Sequence, residues 1–284
     1  AVGNNPDLVI SSVAPYKYAI RGAAKNLLEY DDFLDVYTKD YSLESLVPMY
    51  YNGGVYGVNE TRSFSVLFYR KDTLATLGLS VPETWDDVRA MMPTLLRNSM
   101  NFSLPTSGGG AYSIGAVAPF VLQNNGQIYA DDGMSVAIDS ENTLTALQEI
   151  TDFYKIYGVQ QSVASFFNSF RYNQIPIGIA GYDFYLQLSM AAPELKGLWD
   201  IALVPGTRQE DGSIRRDYGC NGSASMIFAN SDKQAETWDF LKWWLSSETQ
   251  TEYSRRRQVG YGANYLWNSA NQTAFESLPF SAEH

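Results

Sequence analysis

The segment that most narrows the choice of fold is residues 50–87, YYNGGVYGVNETRSFSVLFYRKDTLATLGLSVPETWDDV. Asn52-Gly53-Gly54 is turn chemistry, because asparagine and glycine reach left-handed backbone angles with little strain. Residues 55–58 then read as a short strand. Residues 64–69, FSVLFY, are too uniformly apolar to face water on either side, which predicts a strand covered on both faces. Residues 71–77 predict a helix ended by Gly78. Thr84, with Asp87 three positions on, predicts a capped second helix, a conservative form of the capping box. A doubly covered strand followed at once by helices requires an α/β layer.

The same alternation continues along the whole chain and predicts helices packed on mainly parallel sheets. Strands are expected at residues 8–11, 102–105, 177–180, 199–203 and 226–229. Helices are expected at 16–24, 43–49, 112–122 and 182–190. Another helix starts at Trp85, with Val88, Met91 and Leu95 on one face and its second half disturbed by Pro93. Ser140 predicts an N-cap for a helix with Leu144, Leu147, Thr151 and Tyr154 down one side. Ser231 and Gln234 predict a capping box for a helix carrying Ala235, Trp238, Leu241 and Leu245.

Length and charge exclude several function classes. A chain of 284 residues suits two lobes better than one small domain. Its 31 acidic against 20 basic residues give a formal charge of −11, which repels phosphate backbones and argues against a nucleic-acid partner. Cys220 is the only cysteine, so no intramolecular disulfide and no thiolate cluster can form. His284 is the only histidine, which removes most mechanisms that use imidazole as base or metal ligand. No run is long enough and apolar enough to span a bilayer as a helix. Gly108-Gly109-Gly110 is followed by no Gly-Lys-Ser/Thr and makes no phosphate loop. Asp131-Asp132-Gly133 lacks the remaining oxygen ligands of a calcium loop and reads as a hairpin turn. Arg255-Arg256-Arg257, near a helix end, complements the helix dipole and faces solvent.

The order of strand, polar residues, strand ending Tyr69-Arg70-Lys71-Asp72, helix, Gly78-Leu79 and Pro82-Glu83-Thr84-Trp85 resembles the extracellular solute-binding proteins of ABC importers, the class that includes maltose-binding protein. The hairpin Gly206-Thr207-Arg208-Gln209-Glu210-Asp211-Gly212 is similar to one found in a branch of that family. The resemblance implies a two-lobed α/β fold of the periplasmic-binding-protein type 2. One lobe would comprise residues 1–62 plus 225–258 and the other 63–224 plus 259–284, with chain crossings near 60–65, 220–225 and 260–262. It further implies a strand, a helix and another strand before residue 8 and more helices after residues 275–280. The chain is therefore expected to be a segment of a longer precursor, with its first lobe incomplete.

What the resemblance implies about function is a non-catalytic receptor without a cofactor or metal. It would capture a carbohydrate or oligosaccharide between hinged lobes and deliver it to ABC permease subunits, as a monomer, outside the cytoplasm, either periplasmic or tethered to the membrane as a lipoprotein. Sugar sites use aromatic faces and planar polar groups, and the chain has 20 Tyr, 6 Trp and 14 Phe. Glu60, Thr61, Arg62 and Ser63 lie at the first crossing, where the family's contacts lie; an ordinary ion pair of Glu60 with an arginine is the plainer alternative. Tyr182 and Asp183 follow a buried strand and open a helix, where ligands of α/β proteins collect; Asp183 as a simple N-cap is the plainer reading there. Tyr16, Tyr112, Asn221, Gly222 and Tyr261 are further candidates, each also readable as packing or turn. Two rival functions use the same residues: a glycan hydrolase pairing Glu60 with Asp183, and a ligand-sensing ectodomain of a signalling protein.

Overall fold

The computed structural model of the chain describes residues 6–12, 14–105, 110–130, 135–262, 265 and 267–278. It divides into two compact units, Ala1–Ser63 with Asn221–His284 and Phe64–Cys220. Residues 131–134 and the glycines at 108 and 109 lie outside the described residues, although Tyr129 and Val136 on either side of the former are bridged antiparallel.

The second unit is organised on the strand Ser63–Arg70, which is extended by its β-branched and aromatic run. Its alternate residues enter two different cores. Leu67 and Tyr69 pack with Trp85, Met92, Phe120 and Phe153 on one face. Val66 and Phe68 pack with Phe170, Phe184 and Leu188 on the other. Double coverage follows directly from the uniformly apolar sequence. Ile177–Gly181 and Trp199–Ala202 flank this strand, and both run antiparallel to it. Phe102–Ser103 adds a parallel pairing, to Ile177–Gly181. The expected mainly parallel sheet is thus corrected to a mixed one. Its central strand runs against Ile177–Gly181 and Trp199–Ala202, a direction that a strand-helix alternation cannot encode.

Helix signals fare well where side chains close the ends. Lys71–Leu77 stops at Gly78, whose φ is 65°. Thr84 and Asp87 make the reciprocal capping box of Trp85–Arg97. That helix runs through Pro93, which sits on its exposed side while Val88, Met91, Met92 and Leu95 are buried. Ser140 caps Glu141–Lys155, but the buried face is Thr143, Ala146, Ile150, Phe153 and Tyr154, with Leu144 left 55% exposed. The buried face starts at Thr143 rather than Leu144, and the Thr143 hydroxyl bonds to Gln127. The 207–212 hairpin forms between Thr207–Arg208 and Ile214–Arg215.

The first unit centres on Ala224–Ile227, flanked antiparallel by Leu8–Ser11 and by Val58–Asn59. Its core joins Leu27, Phe33, Tyr37, Val58, Ile227, Trp238 and Leu241. The single strand expected at 55–58 is split. Gly54–Val55 turns back on Tyr50–Tyr51 around Asn52 and Gly53, both at positive φ, and Val58–Asn59 joins the main sheet. Gly57 separates the two, where a Cβ would stand 2.6 Å from the Pro15 ring. The helix expected over 16–24 is only Tyr16–Ala19. The capping box expected from Ser231 does not form. Ser231 Oγ donates instead to Asp7 and accepts from Lys233 N, and the helix starts at Gln234. The tail also departs from expectation: Arg62 N donates to Asn268 O, Ala270 N to Glu60 O, and Asn271 Nδ2 to Leu245 O. Its described residues therefore belong with the first unit rather than the second, and no third boundary falls near 260.

Candidate functional site

In the second unit, strand direction decides which side chains gather. Ser65 pairs with Gly181, so the start of Ser63–Arg70 and the end of Ile177–Gly181 lie along one sheet edge, toward which Phe102–Ser103, ending level with Gly178, also runs. Such carboxyl ends are where α/β sheets collect ligands, because the following loops and helix starts present free backbone groups. Tyr182 stands at this edge. Its N donates to Phe64 O at 2.9 Å, and its ring stacks on Phe64 with centroids 5.0 Å apart and on Tyr185 at 6.4 Å. Burial, then the neighbouring Tyr185, pushes its phenol pKa up. Asp183 is exposed, and its side chain makes no cap bond to Phe184–Ala191. Its N-cap alternative therefore has no support. Tyr112 lies beyond the end of Phe102–Ser103, just before Ile114–Gln123. It is 49% exposed and meets the edge of Tyr154 at 5.5 Å.

In the first unit a second group gathers at the edge formed by Asn59, Ala224 and Ser11, which register opposite one another. Glu60 is 3% exposed. Its Oε1 accepts from Trp244 Nε1 at 2.6 Å and its Oε2 from Ser223 Oγ at 3.0 Å, in place of the ion pair with an arginine. Burial pushes its pKa up, against the two hydrogen bonds. Thr61 Oγ1 accepts from Ser223 N at 2.9 Å and shares a hydrogen bond with Ser223 Oγ at 2.7 Å. Gly222 lies so close that a Cβ there would stand 1.9 Å from Thr61 O, which makes glycine a packing requirement. Arg62 lays its guanidinium 5.5 Å from the Phe275 ring, and its buried Nε has no hydrogen-bond partner. Gln250, fully buried, holds Trp267 Nε1 and Ser269 Oγ on its Oε1 and donates to Trp244 O. Among the described residues no cluster of acidic, histidine or cysteine side chains could hold a metal ion, and no helix is long and apolar enough to cross a membrane.

A family model described as bacterial extracellular solute-binding protein matches residues 1–251. The chain belongs to that family. Solved structures agree on the fold of this solute-binding protein. A solute-binding protein of an ABC transporter from Thermotoga lettingae, bound with α-D-tagatose, is 19% identical, with a TM-score of 0.72 over 99% of this chain and 72% of that one. The sugar-binding protein MalE of Xanthomonas citri is 17% identical, with a TM-score of 0.74 over 96% and 69%. UgpB of Mycobacterium tuberculosis, in complex with glycerophosphocholine, is 17% identical, with a TM-score of 0.72 over 97% and 67%. No curated protein matches the chain.

Within the solute-binding protein, the structure joins Glu60 and Thr61 through hydrogen bonds to Ser223, packs Gly222 against Thr61, and sets Tyr182 beside Phe64. Ser63 starts the long strand and Asn221 ends the short strand Cys220–Asn221. Tyr16 opens the four-residue helix after Leu8–Ser11 and is 38% exposed. Tyr261 is 70% exposed at the end of Ser247–Tyr261, with Tyr265 as its ring neighbour. Sequence reading missed Phe64, Tyr154, Ser223 and Trp244. Phe64 and Ser223 each adjoin a nominated residue and could have been found from that. Trp244 gave no signal, since its contact with Glu60 spans 184 residues of sequence.

Proposed function

We propose that this solute-binding protein is a non-catalytic receptor for a carbohydrate or oligosaccharide, which it delivers to the membrane subunits of an ABC permease. The reading rests on family membership. The observation that carries its carbohydrate part is the Phe64–Tyr182 stack, standing at the carboxyl end of Ile177–Gly181. A half-buried aromatic face at a sheet edge suits the C–H side of a pyranose, and adjacent exposed polar groups such as Asp183 suit its hydroxyls. Neighbouring structures carry tagatose and glycerophosphocholine, which makes polyhydroxylated solutes the class to test. Thr61, Arg62 and Ser63 in the first unit, and Tyr112, Tyr182 and Asp183 in the second, are the proposed contacts, with Tyr16, Asn221, Gly222 and Tyr261 in supporting positions. Glu60 acts through Ser223 and Trp244, because both of its oxygens are already engaged. That engagement also argues against the hydrolase reading, whose acid must reach a glycosidic oxygen.

Thermal-shift titration of the protein with maltose, tagatose, glycerophosphocholine and a tripeptide tests the assignment. A saturable rise in Tm with a sugar supports it. A rise with the tripeptide and none with any sugar overturns it. Chromatographic recovery of the sugar unchanged after prolonged incubation supports the non-catalytic reading, and hydrolysis lost in Glu60→Gln contradicts it.

A further inference from the structure

Tyr154 is 8% exposed, and its buried hydroxyl has no hydrogen-bond partner. It belongs to the apolar core on one side, where Phe153 and Ile150 precede it on the helix Glu141–Lys155. A phenylalanine would serve that packing equally well, so packing leaves the oxygen unexplained. Buried phenol oxygens are otherwise satisfied, because an unpaired one forfeits its hydration without return. Two further phenols lie beside it. Tyr112, half-exposed, meets its ring at 5.5 Å. Tyr218 packs against the same core, and its ionisation is disfavoured by burial and then by Tyr154. Burial, with Tyr112 adding, likewise pushes the Tyr154 phenol up to about 12, so it stays a neutral O–H able to donate and to accept. Tyr112 is thus the ring neighbour of Tyr154 that reaches solvent.

We infer that Tyr154 is a specificity-determining contact that exchanges a hydrogen bond with a hydroxyl of the bound sugar, beside the ring of Tyr112. The inference rests on the carbohydrate reading given above. In the free protein the hydroxyl waits unpaired, and binding satisfies it. A purely structural tyrosine has no reason to respond to solute.

The test is the variant Tyr154→Phe, which keeps the ring and removes only the oxygen. Without sugar, its Tm is expected to equal or exceed that of the natural protein, because an unsatisfied polar atom has been removed. Calorimetric affinity for whichever of maltose and tagatose the natural protein binds is expected to fall about tenfold, the scale of one neutral hydrogen bond. Leu147→Ala, on the same helix, controls for core loosening and is expected to lower Tm without that loss of affinity. Unchanged affinity in Tyr154→Phe, while the natural protein binds, overturns this inference and leaves the carbohydrate reading standing. If the natural protein binds neither sugar, the carbohydrate reading fails and this inference falls with it.

Discussion

Glu60 holds a negative charge in surroundings that disfavour it. Burial raises its pKa above the ordinary 4.5, while Trp244 and Ser223 pull it back. A carboxyl raised on folding contributes stability that is complete below its unfolded pKa and is lost as pH rises through the folded value. Glu60→Gln removes the titration but keeps a carbonyl to accept from Trp244. The Tm of Glu60→Gln minus that of the natural protein is therefore expected to grow between about pH 4 and pH 7. Asp32, Asp72 and Asp87, whose pKa values are lowered, act in the opposite sense. Both proteins share them, so the difference isolates Glu60. A constant difference across that range would show that Glu60 does not titrate as described. Tyr182 supplies the second test at this scale. Tyr182→Ala is expected to weaken sugar binding about tenfold or more, and Tyr182→Phe much less, since stacking depends on the ring. Equal losses in calorimetry for the two variants would remove stacking as its role.

Among elements, the ends were legible and the faces less so. Thr84, Asp87 and Gly78 act through bonds to residues within a few positions, so local sequence contains the whole interaction. Thr84→Ala is expected to cost about 1 kcal/mol in urea unfolding, the usual worth of an N-cap. No loss would mean that the cap is redundant with the Thr84 bridge to Gly206. The stripe on Glu141–Lys155 misled because Leu144 looks more apolar than Thr143. Thr143 is nonetheless buried, with its hydroxyl donating to Gln127 O and accepting from Gln127 N. Ser231 misled for a related reason, because a partner 224 residues away, Asp7, claims its hydroxyl. Gly222 belongs to this scale as well. Gly222→Ala drives a methyl into Thr61 O. It is expected to destabilise by about 1–3 kcal/mol in the same unfolding experiment, and a neutral outcome would mean that the contact relaxes freely.

At the scale of the whole chain, the two-part α/β organisation could be read from the alternation of elements and the length. The two units meet along the chain at 63/64 and 220/221. Strand direction and the affiliation of the tail could not be read, because both are fixed by pairings such as Leu67 with Ala202 and Thr61 with Ser269, far apart in sequence. The same holds for the candidate site. Tyr182 was visible as the residue after a buried strand, whereas its partner Phe64 and the lone hydroxyl of Tyr154 emerge only once the chain is folded. The central claim, that the protein reversibly binds an intact sugar, is tested most directly by isothermal titration calorimetry with maltose and tagatose, followed by chromatography of the cell contents. The account predicts one saturable site for at least one sugar and recovery of that sugar unaltered. No heat of binding with either, or a continuous heat that tracks its breakdown, would contradict it.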